Sequence, residues 1–146
     1  MFTEKGDSMK RGLIVAALVV ALTALAVGAV NGSARSAAAT VRVTLKEFTL
    51  KPSTTSVRSG KVTFVVVNSG RVDHELVVLR TKAPADDLPL ASTRDVYEAG
   101  RVGTTRTIDS GRRKSLTLTL KPGHYSLICN LPGHYRAGQF ADFAVR

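Results

Sequence analysis

Ser115-Leu116-Thr117-Leu118-Thr119-Leu120-Lys121-Pro122-Gly123-His124-Tyr125-Ser126-Leu127-Ile128-Cys129 is the stretch that decides the fold. Its first six residues alternate between small polar and apolar side chains, the period of a strand with one buried face. Lys121-Pro122-Gly123 is turn chemistry, since proline presets φ and glycine accepts conformations closed to other residues. The chain then resumes as a second apolar run that leads directly into Cys129. Two strands, a turn and a cysteine at the second strand's end describe a β scaffold that delivers a thiol to its rim.

Working outward, the same pattern recurs. Val41-Arg42-Val43-Thr44-Leu45 alternates, and Lys61 to Val67 reads as a buried strand closed by Asn68-Ser69-Gly70. His74 to Leu79 and Phe140 to Val145 complete the obvious strands. About seven or eight short strands in some 107 residues predict an all-β fold, an antiparallel sandwich or barrel. Residues 81–112 are the one long irregular stretch, with Pro84, Pro89, Gly100 and Gly103, and a helical turn is expected around Ser92 to Glu98. Asp86 and Asp87 read as a solvated loop pair rather than an acid–base pair, and no chemistry is assigned to this stretch.

The N-terminal 39 residues have a different character. Residues 13–30 are uncharged and apolar, Lys10 and Arg11 precede them, and Ala37-Ala38-Ala39 follows in a small-residue stretch. That is the order of a secretory signal, on an apolar run longer than the usual ~7–15 residues. At ~1.5 Å per residue its length also approaches a ~30 Å hydrocarbon core. A cleaved signal and an uncleaved membrane tether both remain open, as does a start at Met9 rather than Met1. Either way residues 40–146 form one domain outside the cytoplasm: periplasmic, cell-surface or secreted. From residue 40 onward there are 17 Lys and Arg against 9 Asp and Glu. The positive charge is scattered and lacks aromatic interleaving, which argues against nucleic acid and allows attraction to an acidic partner.

The chemistry-bearing inventory is small. The chain has three histidines (His74, His124 and His134), one cysteine, and no methionine after Met9. A lone cysteine forms no intramolecular disulfide. Structural zinc normally takes four strong ligands, and a dinuclear copper centre with two bridging thiolates needs a second cysteine. Two imidazoles and one thiolate in a near-trigonal plane, with a weak axial donor, suit a single copper ion that cycles between Cu(I) and Cu(II).

Cys129-Asn130-Leu131-Pro132-Gly133-His134-Tyr135-Arg136-Ala137-Gly138-Gln139 resembles the C-terminal copper loop of the cupredoxins, the small blue-copper proteins. Asn68-Ser69-Gly70-Arg71-Val72-Asp73-His74-Glu75-Leu76 resembles that family's first-histidine segment. The resemblance implies a Greek-key β-sandwich or barrel with one type 1 copper ion. His74, Cys129 and His134 would be its equatorial ligands. Most family members place an axial methionine where this chain has Gln139. The Cys-x4-His-x4-Gln spacing is similar to that of stellacyanin. Gln139 through its amide oxygen, a backbone carbonyl, or no donor at all is then axial. An oxygen donor implies a lower reduction potential than a thioether would.

Glu75 stands where well-known electron carriers often have asparagine, so Asn68 or Asn130 is expected to orient the site, and His124 is expected to lie on a hairpin away from it. The implied function is a monomeric one-electron carrier between redox partner proteins, not an enzyme. Docking would occur on the apolar surface of Leu131, Pro132, Gly133, Tyr135 and Ala137. Copper storage or trafficking, and a metal-free accessory domain, are the competing functions.

Overall fold

The computed structural model describes residues 38–146, which form nine β-strands. The export or anchor segment expected at residues 13–30 lies outside the described residues. In chain order the strands are β1 (Ala39–Lys46), β2 (Thr49–Pro52), β3 (Ser56–Val57), β4 (Gly60–Asn68), β5 (Val77–Arg80), β6 (Arg101–Thr104), β7 (Arg113–Leu120), β8 (Gly123–Ile128) and β9 (Phe140–Val145). Two sheets face each other, one ordered β2-β1-β4-β7 and the other β3-β9-β8-β5-β6.

The fold is the all-β one expected, and only the antiparallel pairing needs correction, because the sheets are mixed. β1 runs parallel to β4, and β3 runs parallel to β9. After the β1–β2 hairpin the chain leaves for the opposite sheet at β3 and returns as β4, entering beside β1 in the same direction. The decisive stretch is likewise not a hairpin within one sheet, because β7 and β8 belong to different sheets. Lys121-Pro122-Gly123 is the corner between them, and Gly123 has a φ of 146°, which only glycine adopts readily.

Alternation does what the sequence pattern requires. Val41, Val43 and Leu45 from β1 and Val62, Phe64 and Val66 from β4 point inward and are buried. They meet Leu76, just before β5, and Val78, Tyr125, Leu127, Phe143 and Val145 from the second sheet. Phe64 and Phe143 pack edge to face across the sandwich, with ring centroids 5.5 Å apart.

A second, smaller core lies on the outer face of the second sheet. Val77, Leu79 and Ile128 are covered there by Leu88, Val96 and Tyr135. This explains why β5 reads as a continuous apolar run, since a strand buried on both faces has no polar side. The cover is the irregular stretch after β5. No helical turn forms at Ser92 to Glu98: Ser92 Oγ instead accepts the N–H groups of Arg94 and Asp95, and Leu90 bridges to Val96. Asp86 and Asp87 are exposed, as expected of a solvated loop.

Candidate metal centre

Three loops meet at one end of the sandwich, and two of them carry the ligand candidates. The first is the β4–β5 connection. Asn68 closes β4 and is fully buried, and its amide spans the turn, donating to Val72 O and Ile108 O while its Oδ1 accepts the Gly70 N–H. The chain then reaches His74, whose backbone pairs with Ile108 in both directions. The second is the β8–β9 loop. Cys129 follows β8 directly, and its N–H donates to Gln139 O, so the loop closes on itself. Between them the chain turns through Gly133 and Gly138, both in the left-handed region (φ 83° and 102°) that a side chain would resist. The third is the β1–β2 turn at residues 46–49.

His74 Nδ1, Cys129 Sγ and His134 Nδ1 converge. The separations are 3.2 Å between the two nitrogens, 3.4 Å from sulfur to His134 and 3.9 Å from sulfur to His74. A circle through three atoms so spaced has a radius of about 2 Å, close to the ~2.0–2.1 Å nitrogen and ~2.3 Å sulfur bonds of a first-row ion. The three residues are positioned to hold one copper ion. His74 and Cys129 are fully buried, while His134 reaches partly to the surface.

Burial shifts the titration of two of the donors. Burial pushes the Cys129 thiol up to about 11, only partly offset by backbone N–H groups, of which that of Glu75 lies 3.3 Å from the sulfur. His134 is held below the ordinary imidazole range, first by burial and then by the neighbouring His74. A contact with Gln139 works the other way.

Gln139 is buried among these groups. Its Nε2 donates to Lys46 O at 3.3 Å and Thr49 O at 3.2 Å, which turns its carbonyl end away from both backbone oxygens. Its Oε1 has no hydrogen-bond partner despite full burial. A buried amide oxygen without a donor is costly unless something else meets it, and a metal ion is such a partner.

His124 is separate from the cluster. Its Nε2 lies 2.8 Å from Asp142 Oδ1 and its Nδ1 lies 3.0 Å from Thr81 O, which ties β8 and β9 to the start of the long loop. Neither Asn68 nor Asn130 orients Cys129 through its side chain; the backbone N–H of Glu75 reaches the sulfur instead.

Sequence reasoning missed two contributors. The β1–β2 turn touches three ligand candidates: carbonyls 46 and 49 hold Gln139, the Glu47 carboxylate lies beside His74, and the Phe48 ring packs edge to face on His134 at 4.9 Å. Hydrogen bonds from backbone N–H groups, that of Val72 first, hold the Glu47 carboxyl down to about 2. The stretch 81–112 has a use as well, because it braces the Cys129–Gln139 loop from outside. Asn130 exchanges hydrogen bonds with the Val96 backbone and donates to Glu98, Gly133 N–H donates to Arg94 O, and Tyr135 Oη accepts the Leu88 N–H. Tyr135 is therefore buried and does not contribute to the surface expected of it. Asn130→Ala strands the Val96 N–H and carbonyl, so stability should fall by about 1–3 kcal/mol in a denaturant titration.

The described geometry agrees with known proteins. The family model for the cupredoxin-like domain matches residues 14–140. The copper-resistant cuproprotein CopI of Rubrivivax gelatinosus is 32% identical over 120 residues, covering 79% of this chain and 71% of that protein. Dithionite-reduced auracyanin from the photosynthetic bacterium Roseiflexus castenholzii has a TM-score of 0.58 at 19% identity, covering 75% of this chain and 98% of that one. Auracyanin B has a TM-score of 0.56 at 25% identity, with coverages of 75% and 89%.

Proposed function

This chain belongs to the cupredoxin-like domain family, and from that premise we propose that it is an extracytoplasmic one-electron carrier with a single type 1 copper centre. The observation that carries the proposal is the triangle of His74 Nδ1, Cys129 Sγ and His134 Nδ1, with the buried, unpartnered oxygen of Gln139 as the proposed axial donor. Copper bound there supplies a one-electron couple. The chain's part is to hold the donors on loops tied down by hydrogen bonds, so that little moves when the charge changes. His74, Cys129 and Gln139 are buried and keep water away, and His134 alone leads toward the rim.

The docking surface is proposed around that rim. Phe48 is 40% exposed and touches His134, and Val72 is 44% exposed on the turn into His74. With the exposed Pro132 and Ala137 they supply the apolar area, with Phe48 and Val72 in the place of Tyr135. Lys46, Arg71 and Arg136 are exposed on the same three loops. An acidic redox partner would be steered by such charges, so the electron-transfer rate should fall as salt is raised from low ionic strength. A rate independent of salt in stopped-flow measurements removes the steering claim.

The centre is tested by the spectrum and voltammetry of the copper-loaded protein. An intense visible Cu(II)–thiolate band with a reversible one-electron wave is expected; a colourless protein refutes it. A second reading, copper trafficking without electron relay, is favoured by the relative named as a copper-resistant cuproprotein. It predicts ready exchange of the ion with a chelator and no need for a reversible wave. Delivery outside the cytoplasm through residues 1–39, by a cleaved signal or a retained tether, is part of the same proposal and is checked by fractionation and N-terminal sequencing.

A further inference from the structure

His74 has two ring nitrogens with different surroundings. Nδ1 faces Cys129 and His134, so in a metal-bound state the ring proton sits on Nε2. Nε2 is buried and has no hydrogen-bond partner. The nearest acceptor is Glu47 Oε1 at 3.6 Å, longer than a hydrogen bond but within ion-pair range.

The Glu47 carboxylate is itself fixed. Its Oε1 accepts the backbone N–H groups of Arg71 and Val72, the latter at 2.9 Å. Those two residues lie in the turn that delivers His74. Glu47 comes from a different element, the β1–β2 turn, whose neighbouring carbonyls hold Gln139. The pocket is shaped for this approach. Gly70 lines it, and a Cβ there would overlap Glu47 Oε1 and stand 2.9 Å from His74 Nε2. A side chain at position 70 would therefore separate the two groups.

We propose that Glu47 is the positioning residue of His74 and the fixed charge that sets the reduction potential of the centre. The inference rests on copper being held by His74. A carboxylate facing the far nitrogen of a ligating imidazole fixes the ring's tautomer and orientation and raises its basicity. An anion at that place also favours the more highly charged ion, so Cu(II) gains over Cu(I) and the potential falls. Glu47 acts through His74 and does not touch the ion.

Glu47→Gln isolates the charge, because the amide oxygen can still accept the Arg71 and Val72 N–H groups. Glu47→Ala removes both charge and acceptor. Asp73→Asn, an exposed carboxylate next to His74 in sequence, controls for general surface charge. The measurements are the potential of the copper-loaded protein, its visible band, and the ring nitrogen NMR shifts of His74 in the copper-free protein.

The expected result is that Glu47→Gln keeps the band and lowers the Cu(II)-to-Cu(I) affinity ratio about tenfold, a rise of about 59 mV for a one-electron couple. Glu47→Ala should raise the potential at least as far and shift His74 from a single Nε2–H tautomer toward a mixture. Asp73→Asn should move neither. A retained band with an unmoved potential in Glu47→Gln overturns the proposal and leaves the copper reading standing, as does an equal shift in Asp73→Asn. A wild-type protein that takes up copper without a thiolate band overturns the copper reading itself.

Discussion

Cys129→Ala abolishes the visible Cu(II)–thiolate band and leaves no reversible wave, while the protein still folds. The band requires sulfur on the ion, and Cys129 is the only sulfur in residues 40–146. Loss of the sulfur leaves the two imidazoles, a harder donor set that keeps weak affinity for Cu(II) and none of the preference for Cu(I) that a thiolate gives. The fold does not depend on the thiol, since the core is built from aliphatic and aromatic pairs on both sheets. A wild-type-like band in Cys129→Ala would remove the thiolate from the centre.

The same substitution has a pH signature. In the copper-free fold the Cys129 thiol is raised from 9.0 to about 11, chiefly by burial. A group raised on folding stabilises fully below its unfolded value and loses that contribution as pH climbs through its folded value. Copper-free wild type should therefore lose stability between about pH 9 and 11, and Cys129→Ala should lack that component. Denaturant midpoints across this window measure the difference. At neutral pH the thiol carries its proton, so copper uptake releases it, and copper affinity falls as the medium is acidified.

Much of this centre was legible because the chain has so few soft or imidazole donors. With one cysteine and three histidines, the equatorial set implied by the resemblance had few rivals, and only His124 competed with His74, while the axial donor stayed open between Gln139, a backbone carbonyl and none. The strands β1, β4 and β7 were legible for a local reason, since one-faced burial writes itself as alternation, and β8 showed as an apolar run because both of its faces are buried. What stayed hidden is what the fold alone creates. β2 ends on a proline and β6 contains a glycine in a short polar run, so neither carries a strand signature. The parallel pairing of β1 with β4 follows from where the chain crosses between sheets, which no local pattern records. Glu47 and Phe48 look like ordinary turn residues until the β1–β2 turn is folded over His74 and His134. The long loop's role was equally invisible, because its grip on Asn130, Gly133 and Tyr135 is made largely through backbone groups.

Gln139→Met should raise the reduction potential. In the structure the glutamine amide is oriented from behind: both N–H groups are directed to carbonyls 46 and 49, and the oxygen is left without a partner. That arrangement leaves an oxygen donor free for an ion held by His74, Cys129 and His134, and Gln139 is proposed as its axial ligand. Oxygen is a harder donor than a thioether and stabilises Cu(II) relative to Cu(I). A hundredfold shift of affinity toward Cu(I) in the methionine variant corresponds to about 120 mV at 59 mV per decade. The cost falls on stability, because two part-buried carbonyls lose their donors, and about 1 kcal/mol should disappear from the denaturant titration of the copper-free protein. Gln139→Leu separates the two effects: it imposes the same loss of donors but offers the ion no axial atom. If Gln139 is axial, leucine and methionine variants differ in potential from wild type and from each other. If all three potentials coincide while both variants lose stability, the amide serves only to join the β1–β2 turn to the copper loop.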